Sequence, residues 1–165
     1  MRAEEFLTYS AEETRELGRV IAARLKAPAL VLLKGDLGAG KTTLTKGIIA
    51  GLGAAHEEQV TSPTFTLIHV FHRPGPKALK VYHADLYRIE GAQGLSSLGL
   101  EDVLSEPCIL IVEWSERLTL RSDWPVVRVE LEHLGGDRRR IRVSGLDVSL
   151  ALDASASRTG SSKAR

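Results

Sequence analysis

The sequence predicts an α/β fold: three layers around a mixed sheet, with a parallel centre and antiparallel hairpins at the margins. Three observations predict it. Ala29-Leu30-Val31-Leu32-Leu33 is a continuous apolar run that reads as a buried parallel strand. Gly35-Asp36-Leu37-Gly38-Ala39-Gly40-Lys41-Thr42 follows it and fits G-x-x-x-x-G-K-[ST], the phosphate-binding P-loop. Leu44, Ile48, Ile49 and Leu52 then recur at helical spacing, so the loop sits between a strand and a helix. A second apolar run, Cys108 to Val112, closes on Glu113. Together these describe a P-loop NTPase fold.

The whole-chain totals bound the rest. With 165 residues, one domain is expected, over residues 1–152. A net charge of +1 gives no strong electrostatic case for a nucleic acid, DNA included, or a membrane surface as direct partner. The lone Cys108 opens an apolar run and reads as a reduced core thiol. The acidic start, Met1 to Glu5, lacks the apolar segment of a signal peptide, and no stretch is long enough to span a bilayer. A cytoplasmic location is expected.

In chain order, Ser10 and Glu13 form an S-x-x-E capping box ahead of Leu17, Val20, Ile21 and Leu25. That predicts a helix over about residues 11–26, which serves to cover the sheet and whose start can also approach a nucleotide base. In the P-loop, the glycines allow backbone conformations closed to other residues, so successive amides of Gly38, Ala39 and Gly40 can form an anion nest at the helix start. Lys41 is expected on the β- and γ-phosphates, the Thr42 hydroxyl on Mg²⁺, and Thr43 near the α-phosphate. The P-loop helix should stop at Gly51 or Gly53.

Thr61 to Val70 has strand composition, with Ser62, Thr64 and Thr66 sharing one face. Those hydroxyls suit either a switch-like contact to the γ-phosphate or a plain solvated edge. Arg73 to Lys77 is a turn leading to a second strand, Leu79 to Tyr87, which completes an antiparallel hairpin. Val81, His83 and Asp85 share a face there. A carboxylate ending such a strand must be paired, solvated or metal-linked, so Asp85 is a candidate catalytic residue. His83 reads as a hydrogen-bonded structural histidine. Leu95, Leu98, Leu100, Val103 and Leu104 mark a short helical region.

The strand ending in Glu113 has the Walker B pattern. The carboxyl ends of parallel strands open beside the P-loop, where an acid can hold Mg²⁺ or its water. Trp114 next to it suits either the core or the site. Trp124 to Leu131 and Arg139 to Val143 read as two further strands, and Arg138, Arg139, Arg140 and Arg142 make a dense basic cluster. Residues 153–165 have the small, polar composition of a disordered tail.

Taken in series, Gly35 to Thr43, Ser62-Pro63-Thr64-Phe65-Thr66-Leu67, Tyr82 to Arg88 and Val112-Glu113-Trp114 closely resemble the TsaE (YjeE) family. These are bacterial P-loop ATPases of tRNA threonylcarbamoyladenosine (t6A) biosynthesis. The likeness runs from about Ser10 to Val143. It implies ATP and Mg²⁺ as ligands, and a TsaB–TsaD pair as partner, with tRNA met only indirectly. ATP hydrolysis would support or reset the threonylcarbamoyl transfer cycle of that pair. The resemblance further implies that Thr42 and Glu113 serve the metal, that Asp85 lies at the catalytic centre, and that Ser10, Ala11 and Arg139 approach the nucleotide. The expected catalytic residues are Lys41, which offsets charge on the γ-phosphate, with Asp85 or Glu113 orienting the attacking water. Two alternatives remain beside it: a small-molecule kinase on the same fold, and a nucleotide-gated binding module with little turnover.

Overall fold

The structure is a computed structural model that describes residues 2–63, 67–91, 94 and 98–149. Its elements in order are β1 (Glu4–Thr8), α1 (Ala11–Arg24), β2 (Ala29–Lys34), α2 (Lys41–Gly51), β3 (Ile68–Arg73), β4 (Leu79–Asp85), α3 (Leu100–Val103), β5 (Ile109–Glu113), β6 (Val126–Gly135) and β7 (Arg138–Ser144). Among the described residues, seven strands form one sheet in the order β1-β7-β6-β2-β5-β4-β3.

The parallel centre is β6, β2, β5 and β4. Antiparallel pairs β3–β4 and β6–β7 lie to either side, and β1 adds to β7. The β3–β4 hairpin is at the margin as expected, and its inner strand joins the sheet by pairing with β5. Period-two alternation sorts the side chains into two cores. Val31, Leu33, Val81, Ile109, Ile111, Val129 and Ile141 face α1 and α2. Leu30, Ala84, Leu110 and Val112 face the opposite layer, built from Leu86, Ile89, Leu100 and the partly buried Leu98, Leu118 and Trp124. That gives the three layers.

α1 begins at the predicted cap: the Ser10 hydroxyl accepts from the Glu13 amide at 3.0 Å, and Glu13 accepts from the Tyr9 amide at 2.7 Å. α2 ends at Gly51, with Gly53 at φ +72° just beyond. The two helices cross so closely that a Cβ on Gly47 would lie 2.0 Å from the Arg15 carbonyl oxygen, and one on Gly18 2.5 Å from that of Leu44. Glycine is what lets these backbones meet.

Two expectations need correction. The strand predicted from Thr61 begins only at Ile68; Ser62 lies in irregular chain, and Leu67 at φ +64° turns the backbone before the ladder starts. The proposed hydroxyl face of Ser62, Thr64 and Thr66 is therefore not a strand face at Ser62, while Thr64 and Thr66 lie outside the described residues. The second correction is an addition. Glu4–Thr8 forms β1, which sequence reasoning did not foresee. Leu95 and the tail over 153–165 also lie outside the described residues.

Candidate functional site

The loop between β2 and α2 is shaped by its neighbours. Gly38 and Gly40 take φ +79° and +102°, the left-handed region. Gly35 is pressed against β6, where a Cβ would meet the Leu131 carbonyl oxygen at 2.6 Å. Gly40 caps α2 without a side-chain hydrogen bond to the helix start, so among the described residues no side chain caps the first amides of α2. That leaves a ready site for an anion at the positive end of a helix dipole.

Lys41, the first residue of α2, is buried. Its ammonium donates to the carbonyls of Gly35 at 2.5 Å and Asp36 at 2.8 Å, and lies 4.2 Å from the centre of the Trp114 ring. Burial lowers the pKa of this lysine. The nearby carboxylates of Glu113, Glu116, Asp85 and Asp36 pull the other way without cancelling the desolvation.

Parallel register brings the acids to the same end of the sheet. Glu113, last residue of β5, is the partner of Leu33 on one side and Asp85 on the other. It shares the face of Ile109 and Ile111, so its side chain points toward α2. There the Thr42 hydroxyl donates to its two oxygens, each at 3.0 Å. His83 Nε2 lies 2.8 Å from Glu113 Oε1. Glu113 is only 2% exposed, which makes these contacts essential to a carboxylate that water does not reach. Asp85 is also buried; it accepts from Ser62 Oγ at 2.5 Å and from the Tyr87 amide at 2.9 Å. A hydroxyl and carboxylates at the mouth of a phosphate loop are a hard-oxygen donor set, which suits a hard divalent cation completed by phosphate oxygens.

The structure thus brings Gly38, Ala39, Gly40, Lys41, Thr42, Asp85 and Glu113 together, with Ser62 tied in through Asp85. Thr43 sits half-buried on the same first turn of α2. Arg139 comes to the loop from the other side: its Nε is 3.6 Å from where a Gly40 Cβ would be, while Nη1 donates to Gly136 and Arg138 carbonyls. The rest of the basic run is engaged elsewhere. Arg138 bonds the Leu134 carbonyl, Arg140 pairs with Glu132 and Glu5, and Arg142 pairs with Glu5 and Glu130. Ser10 and Ala11 follow Thr8, which is the register partner of Arg139, so the start of α1 lies on the Arg139 side of the loop. Thr64 lies outside the described residues.

Of two neighbours of this cluster, sequence reasoning placed His83 in a structural role and left Trp114 open between core and site. His83 was expected to be structural, yet it touches the Walker-type acid; its place two residues before Asp85 on one strand face was the available clue. Trp114 takes a left-handed backbone at φ +58° and packs against Tyr87, 4.9 Å between ring centres with the planes tilted by 42°. Arg117 bonds the Leu86 and Tyr87 carbonyls and lies over both rings. A non-glycine residue held in this region is strained, and strain of this kind gathers at functional sites.

The strand-ending acid on the P-loop threonine is the geometry that comparison with known proteins can place in a family. Residues 8–141 match the model of the family described as "Threonylcarbamoyl adenosine biosynthesis protein TsaE". The chain belongs to the TsaE family. A TsaE protein of Treponema pallidum is 34% identical over 135 residues, covering 82% of this chain and 96% of the relative. One from Rickettsia bellii is 37% identical over 135 residues, covering 82% and 90%. Both are named tRNA threonylcarbamoyladenosine biosynthesis proteins. Among solved structures, YdiB of Bacillus subtilis superposes with a TM-score of 0.62 at 27% identity, covering 96% of this chain and 97% of that one. The TsaE match runs from the end of β1 into β7, so it contains every candidate residue named above. No helix among the described residues is long and apolar enough to cross a membrane.

Proposed function

We propose that this chain serves t6A biosynthesis as a cytoplasmic ATP hydrolase, working with a TsaB–TsaD pair and meeting tRNA only through it. The observation that carries the hydrolase reading is the Thr42–Glu113 contact beside the buried Lys41 ammonium, at the open end of β2 and β5. Membership of the TsaE family supports the pathway.

The residues divide the work as phosphoryl transfer requires, by positioning and charge neutralisation. The free amides at the start of α2 receive the phosphates. Lys41, now bonded to two loop carbonyls, exchanges them for phosphate oxygens. Thr42 and Glu113 are the groups that would hold Mg²⁺, which when bound neutralises phosphate charge. Asp85 has no bond to Thr42 and stands beside Glu113 in the sheet, which leaves it to orient the attacking water. Arg139 flanks the loop, and its Nη1 is occupied by hairpin carbonyls. An arginine finger supplied from outside commonly contributes 10³- to 10⁵-fold in rate. Slow turnover alone, raised by partners, is the expected pattern.

Phosphate release from ATP by the full chain, with and without a TsaB–TsaD pair, tests the proposal. Release that rises on adding the pair supports it. Release that is fast alone and indifferent to the pair removes the partner. No release under either condition, with ATP still bound, leaves a nucleotide-gated binding module.

A further inference from the structure

The buried histidine behind Glu113 has no part in the roles just given. His83 is 0% exposed, in the middle of β4, with His69 of β3 and Ile111 of β5 as its register partners. One ring nitrogen, Nε2, is 2.8 Å from Glu113 Oε1; the other, Nδ1, is buried with no hydrogen-bond partner among the described residues. A histidine kept only to fill space would be a poor choice here, because an apolar side chain fills the same volume without an orphaned polar atom. The contact made by Nε2 is therefore what accounts for the ring.

We propose that His83 is a positioning residue: it carries its proton on Nε2, donates it to Glu113 Oε1, and so fixes the rotamer in which Glu113 meets Thr42. Two donors reach the Glu113 carboxylate among the described residues, the Thr42 hydroxyl and His83. The first sits on the phosphate loop helix and faces the ligand. The second sits on a central strand, level with Ile111 of β5 and fully buried. A proton on Nδ1 would leave a buried donor with no acceptor among the described residues and turn a lone pair toward the carboxylate, so the geometry selects the Nε2–H tautomer. Acids and histidines behind a metal ligand commonly set its orientation, and losing one costs about 10- to 100-fold in metal affinity or activity. The metal part of this inference rests on the proposed ATP–Mg²⁺ site; the hydrogen bond itself does not.

The test uses the full chain, with His83→Leu and His83→Gln, because a glutamine amide nitrogen can reach the place of Nε2. Long-range ¹H–¹⁵N spectra of the histidine rings read the tautomer in the wild type and in Glu113→Gln. ATP binding in EDTA, followed by titration with Mg²⁺, reads the effect on the metal, and thermal melts report folding. The expected result is an Nε2–H ring whose proton resonance moves in Glu113→Gln. His83→Leu should bind ATP in EDTA as the wild type does but need about 10- to 100-fold more Mg²⁺. His83→Gln should recover most of that loss. A proton on Nδ1, or a folded His83→Leu with the wild-type Mg²⁺ requirement, overturns the proposal. If His83→Leu does not fold, His83→Gln decides: an Mg²⁺ requirement near the wild type supports the proposal, and one as poor as that of Glu113→Gln overturns it. A wild type that binds no ATP defeats the functional reading alone, since the ring spectrum still decides whether His83 holds Glu113.

Discussion

Replacing Gly47 with alanine tests whether the crossing of α1 and α2 sets the place of the phosphate loop. A Cβ there would lie 2.0 Å from the Arg15 carbonyl oxygen and 2.8 and 2.9 Å from the Arg15 carbonyl carbon and Cα. Ordinary contact begins near 3.4 Å, so the backbones must part by about 1.4 Å at this point. All three obstructing atoms are main chain, and no side chain can rotate aside. Alanine in a helix interior gains about 0.8–1 kcal/mol over glycine. Overpacking costs about 1–3 kcal/mol and occasionally more, and a clash with rigid backbone belongs at or beyond the upper end. The expected net loss is about 2 kcal/mol, or about 4–8 °C in Tm for a domain of this size. Because α2 opens with Lys41 and Thr42, a displacement of about 1 Å should also weaken turnover by up to about 100-fold. Urea denaturation and ATP turnover measure both effects, with Lys46→Ala on the same helix as control. A Gly47→Ala protein as stable as the wild type would refute the argument, since helix propensity would then have outweighed the crossing.

Lys41→Met should abolish tight ATP binding without destabilising the unliganded protein, as judged by denaturation. Burial lowers the Lys41 pKa, so keeping its proton costs stability at every pH below that lowered value; the cost fades as pH rises toward the ordinary lysine value of 10.5 and is gone above it. The stability gap between variant and wild type should therefore close only at alkaline pH, and a gap that widens there contradicts the reasoning. Asp85→Asn and Glu113→Gln should each bind ATP in EDTA and lose about 100-fold or more in phosphate release; unchanged release in both removes the acids from the mechanism. Burial pushes the Cys108 thiol up to about 11, so a thiol reagent at pH 8 should label native protein slowly and unfolded protein fast. Equal rates would show that this strand end opens freely.

The centre of the fold was legible because local sequence and tertiary role agree there. Leu30 to Leu33 and Ile109 to Val112 are apolar on both faces, as strands buried on both sides must be, and the loop motif fixes what joins β2 to α2. The edges were less legible. β1 places Glu4, Glu5 and exposed Leu7 among inward Phe6 and Thr8, and its pairing with β7 spans most of the chain, so nothing local announces it. The start of β3 was hidden by Pro63 and the left-handed Leu67, while hydroxyl spacing suggested a ladder that is not formed at Ser62. In the site, residue types identified Lys41, Thr42, Asp85 and Glu113. What His83 touches depends on the side-by-side register of β4 and β5, which no single strand encodes.

The strand bearing the phosphate loop appears early in the polypeptide, yet both of its neighbours in the sheet, β5 and β6, come from the second half. A nascent chain leaving the ribosome therefore displays the nucleotide motif, with α1 and α2 on either side of it, before either strand that flanks β2 has been made. Only when translation has passed the β6 segment does β2 gain its flanks, and Arg139 arrives later still. Prematurely terminated products should accordingly carry the motif without the Glu113 and Asp85 strands side by side around it, and bind ATP poorly.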